Sequence, residues 1–158
     1  MTGVVHSVNV RAEGGVPKIP AGAARLGAEG VEGDKQNDLR HHGGPLRAVC
    51  IYSLEIIEAL QEEGHPIGPG TTGENLTISG LDWDSLRVGD EMRVGGALIR
   101  LTATAPPCNT IAESFAGGEI GRILEESRPG WSRWYASVIE EAIVSAGNSV
   151  NTVITSDN

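Results

Sequence analysis

The run DEMRVGGALIRLTAT, residues 90–104, sets two stretches of strand-forming residues on either side of Gly95-Gly96. A two-glycine loop between such runs signals a tight hairpin, because the turn needs backbone angles that glycine reaches freely. Glycine makes up 22 of the 158 residues, about twice the usual ~7%. That density favours many tight turns, as in a β-rich fold, over a helical bundle. Aromatic content is only 4% against 39% hydrophobic, so the core must be built from Val, Ile, Leu and Ala. The length predicts a single domain over residues 1–158.

Hydrophobic periodicity places the remaining elements. VVHSVNV (4–10), LRAVCIY (46–52) and ENLTISG (74–80) read as strands. Between the last two, SLEIIEALQEEG (53–64) changes period and predicts a helix. Ser53 is its cap, Leu54, Ile57 and Leu60 share a face, and Gly64 ends it. Residues 13–46 are dense in Gly, Pro, Asp, Asn and His, predicting a long loop with room for a short strand. TIAESF and EIGRILEESR predict a helical stretch broken at Gly117-Gly118. The C-terminal run from Trp134 predicts two or three strands, with a turn at Gly147-Asn148. The expectation is a mainly β fold of seven or eight strands with two or three short helices.

The formal net charge is −9, which argues against nucleic acid or an anionic membrane as the main partner, since both need a basic face. Ten of the twelve cations are arginines, and Arg can grip phosphate or carboxylate with two prongs. A small anionic ligand therefore stays open. MTGVVHSVNVRAEGG has no basic n-region or long apolar core, and the expected location is a reducing cytoplasm with free thiols.

Cys108 follows Pro106-Pro107, and neither proline offers an N–H. The strand should end in a stiff bend that holds the thiol in one place. Thr110 and Glu113 match a capping box for a following helix. A free thiol is only a few per cent ionised at neutral pH, and a helix terminus contributes ~0.3–1 kcal/mol. Strong activation would need a nearby arginine or a metal on the sulfur. By position alone Cys108 is a functional thiol or a small hydrophobe plugging a loop. Cys50, between Val49 and Ile51, reads as core.

GVEGDKQNDLRHHGGPLRAV (30–49) brings Asp34, Gln36, Asp38, Arg40, His41 and His42 close in sequence, followed by Gly43-Gly44. Such a loop binds a ligand or is a solvated turn whose Asp and Asn satisfy the backbone. Adjacent histidines on a strand face opposite ways and no CxxC exists, so a zinc site is weak. Asn75 enters a strand from a polar turn. RPGWSRWY (128–135), with Arg128, Trp131, Arg133, Trp134 and Tyr135, is a lid or a hydrophobic corner.

Taken in order, EGVEGDKQNDLRHHGGP, GENLTISGL, VGDEMRVGGALIRLTATAPPC and GWSRWYASVI resemble the MOSC family, named for the C-terminal domain of molybdenum cofactor sulfurase. The resemblance covers roughly residues 28–140 and fits the short stand-alone bacterial type. It implies a closed or partly open β-barrel of the pyruvate-kinase-barrel-like kind, and makes Cys108 the key residue. In one branch that cysteine ligates molybdenum in a pterin cofactor, and the proteins reduce N-hydroxylated compounds. In the other it carries sulfur as a persulfide, taken from a pyridoxal-phosphate-dependent cysteine desulfurase. No pyridoxal phosphate site is visible in this chain, whose only lysines are Lys18 and Lys35. The chain departs from the pattern at Leu46, where relatives often carry an acid, and at Asn109 and Thr110, where they often carry an aromatic residue and a Lys.

Three functions follow. Cys108 could be a thiolate ligand to molybdenum, as soft sulfur suits such a metal. Arg40, Arg47 or Arg133 with the backbone of Gly43 and Gly44 would then hold the pterin phosphate. Asp34, Gln36, Asp38, His42 and Asn75 would orient the pterin, and an electron-transfer protein would be the partner. Cys108 could instead relay sulfur from a desulfurase. The third function is a non-enzymatic β-barrel interaction module with an inert cysteine.

Overall fold

A computed structural model describes residues 2–34 and 44–153. Eleven strands appear among them: β1 (Thr2–Val10), β2 (Ile19–Pro20), β3 (Ala23–Gly27), β4 (Gly30–Val31), β5 (Val49–Ser53), β6 (Leu76–Ser79), β7 (Glu91–Val94), β8 (Ala97–Ala105), β9 (Arg133–Glu140), β10 (Ala142–Ser145) and β11 (Ser149–Val153). One α-helix, α1, spans Leu54–Glu62. Seven strands close a barrel in the order β11-β7-β8-β9-β5-β6-β1, and β1 pairs back with β11. Closure leaves the seven barrel strands without a free edge. The mainly β barrel is the architecture expected from the sequence.

β7 and β8 form the hairpin across Gly95-Gly96, with Val94 opposite Ala97. β5 and β6 run parallel, and parallel neighbours need a crossover; α1 supplies it. The Ser53 hydroxyl caps α1 by accepting from the Ile56 N–H at 3.2 Å, and Ile57 and Leu60 are buried beneath it. Val5, Val8, Ile51, Ile78, Met92, Ile99, Leu101 and Ala136 belong to the main core. At ~25 cal/mol per Å² of apolar surface, side chains of this size contribute ~1.5–3 kcal/mol each when fully buried.

One strand-bearing stretch differs from the expectation. The supposed loop at residues 13–46 contains β2, β3 and β4, and β3 pairs with β10 in a separate three-stranded sheet. β3 is short, and Leu26 is its one buried residue, so it has little hydrophobic alternation; its partner lies more than 110 residues away and supplies the order that its sequence lacks. Gly147-Asn148 does form a turn, with Gly147 at φ 92°. It does not make a hairpin, however, because β10 pairs with β3 whereas β11 pairs with β7 and β1. Among the described residues no helix is long and apolar enough to cross a membrane.

Candidate functional site

β8 and β9 share the longest pairing of the barrel and deliver the cysteine. Their register ends at Ala105 opposite Arg133, and the next two residues are the prolines. Cys108 lies beyond them in extended backbone at φ −136°, ψ 170°, and is partly exposed. A six-residue 3₁₀ segment, Asn109–Ser114, follows. The expected capping box does not form. Cys108 itself occupies the cap position, with no side-chain capping bond. Thr110 therefore sits inside the first turn, and its hydroxyl lies 2.7 Å from Cys108 Sγ instead of facing a main-chain N–H. The stretch that follows continues as 3₁₀ turns rather than α-helix, kinked at Gly117 with φ 67°.

Strand alternation places a second group of side chains behind the cysteine loop. Val49 and Ile51 enter the main core, whereas Cys50 joins Ala105 and Tyr135 in a separate cluster. Cys50 and Tyr135 are direct cross-strand partners. Burial pushes the Cys50 thiol up to about 11, with the Arg133 guanidinium the main opposing influence. This is the core cysteine that its apolar neighbours imply, and both cysteines are free. Burial also pushes the Tyr135 phenol up to about 12; Cys50 adds to the rise, Arg133 and Arg47 oppose it, and Cys108 adds again. Tyr135 thus stands between Cys50, its cross-strand partner, and Arg47, whose guanidinium lies over its ring.

Arg47 stacks over the Tyr135 ring, its guanidinium carbon 5.6 Å from the centroid. It ends a short 3₁₀ turn, Pro45–Arg47, which Gly44 precedes at φ 80°. Among the described residues, a side chain at Gly44 would meet nothing within 4 Å. The Thr102 hydroxyl of β8 donates to the Leu46 carbonyl at 2.6 Å, fastening this turn to the strand that leads to Cys108. Leu46 itself is 68% exposed.

Asp34 and Asn75 lie together in a buried polar cluster. Asn75 Nδ2 donates to Asp34 Oδ2 at 2.9 Å. The Cys50 N–H donates to Asn75 Oδ1 at 3.1 Å, and the Asn75 N–H donates to the Cys50 carbonyl at 2.7 Å. Lys18, absent from the expected site, donates to both Asp34 oxygens. Glu74, also missed, is fully buried and accepts from the Gly70 N–H and the hydroxyls of Thr72 and Thr77. Lys18 takes its carboxylate from 16 residues along the chain, whereas the partners of Glu74 lie two to four residues away in its own turn. Arg133 is 4% exposed, and its terminal nitrogens donate to the carbonyls of Thr72, Ala105 and Pro106. Gln36, Asp38, Arg40, His41, His42 and Gly43 lie outside the described residues. The aromatic stretch is a packed corner: Trp134 and Tyr135 are buried, and Arg128 stacks on Trp131 at 3.6 Å.

The MOSC domain family profile matches residues 38–151, and this chain belongs to that family. Two relatives carry the same signal. The Bacillus subtilis (strain 168) protein YflK is 36% identical over 137 residues, covering 85% of this chain and 61% of YflK. YiiM of Escherichia coli (strain K12) is 33% identical over 121 residues, covering 74% of this chain and 53% of YiiM. The chain thus spans about three-fifths or less of the curated relatives it matches. The crystal structure of E. coli YiiM superposes with a TM-score of 0.71 at 28% identity, covering all of this chain and 72% of that one.

Proposed function

We propose that the protein holds a molybdenum–pterin cofactor through the Cys108 thiolate and, so loaded, reduces N-hydroxylated compounds. The donor set fits such a group. Cys108 offers a soft, partly exposed sulfur. Arg47 brings a guanidinium suited to a phosphate, and Gly44 brings backbone that no other described residue crowds. When bound, the group would supply two-electron reduction of N–OH to N–H and water, with the electrons from an electron-transfer protein and two protons. In this reading Asp34 and Asn75 fix the floor beside Cys50. Gln36, Asp38, Arg40, His42 and Gly43 remain the proposed pterin-orienting loop.

The observation that carries the reading is how Cys108 is held. Arg133 fastens the residues before it to Thr72, and the Ser114 hydroxyl after it donates to the Thr71 carbonyl at 3.2 Å. A ligand sulfur must stand at a set place, and two-sided fastening supplies that. The test is elemental analysis and pterin fluorescence after expression in a cofactor-producing host. Stoichiometric molybdenum that disappears in Cys108→Ser is expected; a wild type free of metal and pterin rejects the reading.

A second reading rests on the contrast between the thiols. Cys50 is sealed and pushed up to about 11, so a single reachable sulfur remains, as a persulfide relay requires. Incubation with a cysteine desulfurase and cysteine should then add one sulfur at Cys108. An unmodified Cys108 peptide in the mass spectrum removes this alternative.

A further inference from the structure

The ladder between β8 and β9 stops at Ala105 because Pro106 and Pro107 have no N–H to continue it. At that point a side chain takes over from the backbone. Arg133 Nη2 donates to the Pro106 carbonyl at 3.1 Å and the Ala105 carbonyl at 3.4 Å, while Nη1 donates to the Thr72 carbonyl at 2.6 Å. The receiving turn is itself fixed. The Gly73 N–H donates to the Gly70 carbonyl, and Glu74 accepts from the Thr72 hydroxyl at 2.7 Å. The same turn accepts Ser114 from the far side of the cysteine. Both flanks of Cys108 therefore hang on residues 70–73.

We propose that Arg133 is a positioning residue for Cys108: it holds the carbonyls before the thiol against the Thr72 turn and so sets where the sulfur stands. It is not, on this proposal, a donor to a ligand phosphate. The inference rests on the reading that Cys108 is the functional sulfur. A planar guanidinium can serve three carbonyls in two directions at once, which an ammonium on a single stem does less well.

The test uses the full chain with Cys50→Ala, so that one thiol remains. Arg133→Met removes all three bonds; Arg133→Lys returns one donor group. The readouts are the iodoacetamide rate at Cys108 and the molybdenum and pterin content after expression in a cofactor-producing host. Arg133→Met should raise the alkylation rate about tenfold, the scale of one lost bond to a charged group. Arg133→Lys should bring it back to within about threefold of the parent, with cofactor content following the same order. A cofactor loss at an unchanged alkylation rate would make Arg133 a direct ligand donor and overturn the proposal. Unchanged rates and content would overturn it too. A parent without molybdenum or pterin sinks the cofactor reading alone, since the alkylation series still decides the positioning role. Should Arg133→Met not fold, Arg133→Lys and Ser114→Ala carry the test. Each should raise the rate about threefold, and rates equal to the parent's overturn the proposal.

Discussion

Lys18 Nζ stands 2.7 Å from each carboxylate oxygen of Asp34, and the two side chains are only 5% and 1% exposed. Asp34 Oδ1 also accepts the Arg11 N–H at 2.9 Å, and Oδ2 accepts Asn75 Nδ2. This one carboxylate therefore ties the end of β1, the Lys18 segment and the entry to β6. Removing the cation would strand a buried negative charge. Lys18→Met should destabilise the chain by about 3–5 kcal/mol, measured by urea unfolding. Adding Asp34→Leu should recover part of that loss; a double variant no better than the single would contradict the pairing.

Glu74 predicts a pH dependence. Burial pushes its carboxyl above the ordinary 4.5, and the bonds from Gly70, Thr72 and Thr77 only partly oppose this. The folded chain then keeps a proton that the unfolded chain has released. Its contribution to stability is full below the ordinary value and is lost as pH rises through the folded one. Glu74→Gln mimics the protonated form and removes this dependence. Over the pH range above the ordinary 4.5 the wild type should lose more stability than the variant. Parallel urea midpoints across that window would refute the assignment.

The two thiols should separate cleanly. Cys50 is buried with its thiol pushed up to about 11, while Cys108 is partly exposed. Under native conditions near neutral pH, iodoacetamide should label Cys108 alone, and denaturant should expose Cys50 as well. Peptide mass spectrometry reads the sites directly. Equal labelling of both in the folded protein would place Cys50 outside the core cluster.

Gly70 is a position where glycine is required. Its φ is 84°, and a Cβ there would run into the Lys18 carbonyl. That same carbonyl region is held by the bond from the Lys18 N–H to the Gly70 carbonyl at 2.9 Å. Gly70→Ala should cost about 1–3 kcal/mol and loosen the turn that fastens Cys108. Gly64→Ala, also at positive φ but with open space around it, is the comparison, because it isolates the backbone term. Equal melting temperatures for the two variants would show that the Lys18 contact adds nothing.

Much of the barrel was legible because its strands announce themselves locally. The Gly95-Gly96 hairpin, the Ser53 cap and the Ile57 and Leu60 face of α1 all depend on neighbours within a few residues. β3 was not legible, since its order comes from β10. The helix after Cys108 was misread for a related reason. Thr110 and Glu113 have the right spacing for a cap, but the segment winds as 3₁₀ from Asn109 onward, and the Thr110 hydroxyl turns to the sulfur.

From its residues alone the chain declares a glycine-punctuated β fold, a family pattern, and one cysteine pinned behind two prolines, since spacing and backbone chemistry are local properties. Which polar groups surround that cysteine was decided only when the barrel closed. Lys18 acquires its role from a carboxylate 16 residues away and Arg133 from carbonyls 27 to 61 residues away, and a buried charge or N–H takes whatever partner the folded chain brings within reach.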